Sequence, residues 1–144
     1  MCINIYTHLF TMDTFEIKVT IACQPFKPQH SSVTKCTDEV LFKFNSLGHS
    51  TYNISLTTSS DYNTYTSRYY EKYVHCTDNH AESSGFTNAL LSLDLENYDA
   101  FKKYFVNVLI DNPLDVHIEK STSNCKHAQL SVSHNGKAFT LFFD

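Results

Sequence analysis

Glycine and proline are scarce in this chain, three of each, and tryptophan is absent. So little glycine excludes a collagen repeat, a flexible linker and the glycine-rich loops that cradle nucleotide phosphates. No run approaches the ~18 apolar residues that a membrane-spanning helix needs. The opening MCINIYTHLFTMD has neither the basic start nor the sustained apolar stretch of a secretory signal. Positive charge is also short: 11 Lys and Arg face 15 Asp and Glu, a net charge of −4. That balance argues against a nucleic-acid binder working by bulk positive charge, though not against a local basic face. No C-x-x-C occurs among the five cysteines (Cys2, Cys23, Cys36, Cys76, Cys125), which are odd in number and widely spaced. Free thiols in a reducing cytosolic or nuclear compartment are the expectation.

What the chain does have is aromatic mass: eleven Phe and nine Tyr in 144 residues, with 42% hydrophobic and 18% charged types. That suffices for one buried core and favours strands. Residues 14–23 alternate Phe15, Ile17, Val19 and Ile21 on one face, which predicts a half-buried strand followed by a proline-containing connector. Segments 39–45 and 52–58, with Val40, Phe42, Phe44 and then Tyr52, Ile54, Leu56, form a hairpin about the turn Leu47-Gly48-His49-Ser50. The aromatic run 65–77 suits an exposed strand, and 86–95 a buried one with Leu91, Leu93 and Leu95 on one face. One helix is expected, over about 97–110. Tyr98, Phe101, Phe105, Val108 and Leu109 recur at helical spacing, Asp99 sits in the first turn, and Asn112-Pro113 stops it. Its apolar face should pack on Leu91, Leu93 and Leu95. Three strands close the chain, 115–120, 127–133 and 137–143, the last two joined by the hairpin turn Asn135-Gly136.

Catalytic and metal-binding motifs are weak. His75, Cys76 and His80, with Cys125 and His127, supply zinc-type ligands, but at spacings that match no common framework. On a strand, moreover, His75 and Cys76 face opposite ways. His49-Ser50-Thr51 and His75-Cys76-Thr77 share only the letters of a two-histidine phosphoesterase, and the first falls in a turn. The expectation is a non-enzymatic protein without metal or cofactor. Lys102 and Lys103 share the polar face of the helix, and Arg68 and Lys72 lie in the aromatic run. A solvated surface is their ordinary role, and contact with a phosphate backbone is the functional one.

The segments FTNALLSLDLENYDAFKKYFV, LDVHIEKS and HAQLSVSHNGKAFTLFFD, with the upstream DEVLFKFNSLGHSTYNISLTTSSD, resemble the PCNA-type sliding-clamp family. Within that family the likeness is nearest to the second domain of Rad-nine subunits of the nine-one-one DNA-damage checkpoint clamp. It covers residues 38–144 and implies a single α+β clamp domain, mainly antiparallel sheet, with residues 1–37 as a strand plus connector. Also implied is a nuclear DNA-repair scaffold that joins other clamp subunits in a hetero-oligomeric ring around double-stranded DNA. Lys102 and Lys103, with Arg68 and Lys72, would then face the duplex without sequence preference, and no membrane is involved. The alternative expectation is a β-rich protein-interaction module, such as a pathogen protein that occupies a host factor.

Overall fold

A computed structural model describes residues 13–25, 36–71, 84–121 and 127–144. The chain is mixed α+β, mostly sheet. Among the described residues seven strands run β1 (Asp13–Pro25), β2 (Thr37–Gly48), β3 (Thr51–Thr58), β4 (Thr64–Tyr70), β5 (Val116–Lys120), β6 (Ala128–His134) and β7 (Lys137–Phe143). They form one sheet in the order β4-β3-β2-β1-β5-β6-β7. The period-2 pattern sets its faces: Val40, Phe42 and Phe44 of β2 turn inward, as do Ile54 and Leu56 of β3. Phe15 pairs with Phe44 and Val19 with Val40, so the expected face of β1 is the inner one. β1 sits mid-sheet, antiparallel to β2 and parallel to β5, and so joins two antiparallel meanders.

Both expected hairpins are present. Ser46 to Thr51 turns through His49 and Ser50, both at positive φ, and His134 pairs with Lys137 around Asn135-Gly136. The run 65–77 differs from expectation in its exposure. Its described part is β4, whose Tyr65 and Tyr69 are core residues at 2% and 0% exposure. Strand periodicity was present, but alternating tyrosines can line a core as readily as a surface.

The larger correction concerns 86–95. It is a helix, α1 (Phe86–Leu93), not a buried strand. Phe86, Ala89, Leu90 and Leu93 form the buried stripe, at i, i+3, i+4 and i+7, while Leu91 is 72% exposed. Asp94, at positive φ, ends it by donating its backbone N–H to Leu90 and Leu91 carbonyls. The expected helix is α2 (Tyr98–Asp111), with Phe101, Phe105, Val108 and Leu109 buried as expected. Its partners differ, though. Phe105 meets Phe42 and Phe44 edge-on at 5.8 and 5.7 Å, and Phe101 meets Phe86 at 5.7 Å and Phe139 at 5.5 Å. α2 therefore spans the inner face from β2 to β7, plugging the curved sheet with aromatic rings.

The sheet nearly closes. Thr66 and Asp144 exchange both backbone hydrogen bonds at 2.9 Å, stitching β4 to the end of β7. Beyond that stitch, α1 is held by both strands. Tyr69 stacks on Phe86 at 4.4 Å, and Gly85, at φ +83°, lies against Thr140. A Cβ at Gly85 would overlap the Thr140 carbonyl oxygen, so this close approach needs glycine twice over. Elsewhere, Lys120 reaches from β5 to Asp61 in the β3–β4 turn, with Nζ 3.0 Å from Oδ2.

Candidate functional site

One flank of α2 forms an open groove with the first half of β1. Phe15, Asp99, Lys102, Lys103, Val106 and Asn107 line about 340 Å³. Helical spacing brings the residues together: Lys102 and Val106, half-buried, flank Phe105, and Asp99, Lys103 and Asn107 continue that side of α2 to the exposed surface. β1 contributes Phe15, which leaves 39% of its surface exposed although its ring lies 6.1 Å from Phe44. Lys102 lies over that ring, Nζ 5.3 Å from its centroid. This cation–π contact, which also covers the apolar floor, partly engages the charge. Lys103 is exposed. One turn beyond Val106, Ile110 is 55% exposed, and Leu114 in the following 3₁₀ turn is 97% exposed. The groove is thus apolar at its base and continues into apolar surface, with both signs of charge at its rim.

The structure brings Lys102 and Lys103 together but not Arg68. Arg68 alternates with the buried Ser67 and Tyr69, so it projects from the outer face of β4 while α2 packs on the inner face. Lys72 lies outside the described residues, as do His75, Cys76, His80, Cys125 and Cys2. Among the described residues no cluster of His, Cys, Asp and Glu could hold a metal ion. No described helix is long and apolar enough to cross a membrane.

A second polar assembly lies where β5 meets the β3–β4 turn, and sequence reasoning missed it. Lys120 Nζ lies near Asp61 Oδ2, Thr58 Oγ1 and Ser60 Oγ, at 3.0, 3.5 and 3.5 Å. Asp38 accepts from the Ser59 and Ser60 hydroxyls at 2.7 and 2.6 Å. Partial burial pushes the Asp61 carboxyl up, but donation by Thr58, the Asn63 N–H and Lys120 outweighs it and brings the carboxyl down to about 2. Asp38 is lowered as well, because the Ser60 and Ser59 donors outweigh its burial. Every carboxylate here is satisfied by donors from its own chain, which makes this a structural belt. Its hydrogen-bonded partners lie up to 62 residues apart, and no local pattern marks them.

No protein-family profile matches the chain, and no curated protein matches it. Among solved structures it is similar to the N-terminal coiled-coil dimer of C. elegans SAS-6. The TM-score is 0.63 at 12% identity, over 92% of this chain and 79% of that one. At that identity the likeness concerns the fold.

Proposed function

We propose that this chain is a non-enzymatic interaction domain that works by self-association, a second copy occupying the groove beside α2. The observation that carries this is the groove itself: exposed Phe15 at its base, both signs of charge at its rim, and Ile110 and Leu114 beyond. A two-fold interface places the same patch on both subunits, so Asp99 of one copy can meet Lys103 of the other over a shared apolar centre. A phosphate backbone would leave Asp99 opposed to like charge. The structure similar in fold is a coiled-coil dimer, which supports self-association by analogy alone and not through this groove. Sedimentation across a concentration series tests it. Wild type should dimerise, and Phe15→Asp or Ile110→Asp should weaken the dimer at least ~10-fold, the loss expected at an interface hot spot. A chain that stays monomeric at all concentrations would overturn the proposal.

One observation favours a second reading, a nuclear DNA-damage checkpoint clamp subunit of the PCNA-like type that assembles with partner subunits around duplex DNA. Lys103, exposed, and Lys102, half-buried, are adjacent in the groove beside the helix that crosses the sheet. On this reading the double variant Lys102→Ala, Lys103→Ala lowers the salt-dependence slope of DNA binding by roughly two and weakens all sequences alike. An unchanged slope would sink it.

A further inference from the structure

The β1–β2 register places two thiols opposite one another. Ala22 pairs with Thr37, so the next pair out is Cys23 with Cys36, and the Cys23 N–H donates to the Cys36 carbonyl at 2.8 Å. Side chains of directly paired residues lie on the same face, and hydrogen-bonded antiparallel partners have Cα atoms ~5.5 Å apart. That spacing falls within the range a disulfide spans. Both residues are free cysteines, Cys36 exposed and Cys23 only 5% exposed. From this juxtaposition we propose that Cys23 and Cys36 form an oxidative modification site, in which a low-molecular-weight disulfide such as oxidised glutathione converts the pair to an intrachain disulfide.

The unequal exposure orders the chemistry. The Cys36 thiolate attacks one sulfur of glutathione disulfide, forming a mixed disulfide and expelling one glutathione thiolate. Cys23 then loses its proton and attacks Cys36 Sγ, expelling the second glutathione. The protein loses two hydrogens, and one glutathione disulfide becomes two glutathione thiols. Burial pushes the Cys23 thiol up to about 11, opposed by the Lys120 ammonium, so Cys23 is the poor first nucleophile and the resolving partner. The covalent ring closes residues 23–36 at the junction between β1 and β2.

The test incubates folded, reduced, full-length protein with oxidised glutathione, then maps disulfides by mass spectrometry without reduction. The expected product is a Cys23–Cys36 linked peptide pair, two hydrogens lighter than the reduced pair, with the melting temperature raised by roughly 5–10 °C. Cys23→Ser should stop the reaction at a stable Cys36–glutathione adduct, and Cys36→Ser should leave Cys23 unmodified. Circular dichroism of both variants checks that each remains folded. Should the wild type accumulate the Cys36 adduct with Cys23 still reduced, or link Cys36 to Cys2, Cys76 or Cys125 instead, the proposal is overturned.

Discussion

The two described helices are neighbours in sequence and in space, yet they are held in different ways. α1 has eight residues, a Gly85 N-cap with positive φ, no acid in its first turn and no base in its last, and one side chain on its first amide, Ser84 Oγ accepting from Phe86 at 3.3 Å. α2 has fourteen residues and two side chains on its first amides: Asn97 Oδ1 accepts from Ala100, and Glu71 Oε1 accepts from Tyr98, each at 2.9 Å. Asp99 adds a favourable charge in the first turn. A helix as short as α1 is marginal without outside support. Its support is the seam between β4 and β7, where Tyr69 stacks on Phe86 and Gly85 lies against Thr140. α1 is a helix because of its surroundings, and α2 because of its own residues as well.

Removing what α1 packs with should therefore produce the largest effect. Phe86 is fully buried and touches Tyr69, Tyr98 and Phe101. Phe86→Ala should cost about 3–5 kcal/mol, a large share of what a domain of this size has to lose. Urea or thermal unfolding measures it. A loss under ~1 kcal/mol would mean that α1 forms independently of the seam.

That difference also explains what was legible in the sequence. Phe15 to Ile21, Val40 to Phe44, Ile54 and Leu56, and the Asn135-Gly136 turn announce their strands through alternation and turn chemistry that need no distant partner. α2 was legible for the same reason: Asn97 and Asp99 precede a helical stripe, and Pro113 ends it. The segment 86–95 carries two periods at once. Leu91, Leu93 and Leu95 alternate as a strand would, while Phe86, Ala89, Leu90 and Leu93 recur as a helix does. Only Tyr69 and the β7 backbone, distant in sequence, decide between them. The candidate groove was half legible, through Lys102 and Lys103 on the polar face of α2. The place of Phe15 beside them depends on β1 running mid-sheet beneath the helix, which no local pattern encodes. The Lys120 belt was hidden for the same reason.

Among the described residues no ion pair involves either helix, so acid should act first at that belt, away from both. The folded Asp61 carboxyl, at about 2, lies below its ordinary value of 3.8. Its contribution is thus fully present above about pH 4 and is lost as the pH falls through about 2. Asp38 shifts in the same direction. Because 39% of the Asp61 side chain is exposed, solvent screening reduces the effect to about 1 kcal/mol. Stability measured from pH 5 to pH 2 should fall more steeply in wild type than in Asp61→Asn. Equal slopes would show that the carboxylate adds nothing to closure.

The smallest effect belongs to the cap of α2, and it bears most directly on the comparison of the helices. Removing an N-cap side chain that accepts from the first turn costs about 1 kcal/mol, because an amide once bonded to protein must find water instead. Asn97 is exposed, so Asn97→Ala opens no cavity, and the loss reports the cap alone. Glu71 still holds the Tyr98 N–H in that variant, so α2 should stay helical and the denaturant midpoint should fall without a change in slope. Asn97→Ser, whose hydroxyl can also accept, should recover most of the loss. If Asn97→Ala is as stable as wild type, the cap adds nothing, and α2 depends on its surroundings much as α1 does. The contrast between a helix written locally and one imposed by its surroundings then fails at the helix where it was clearest.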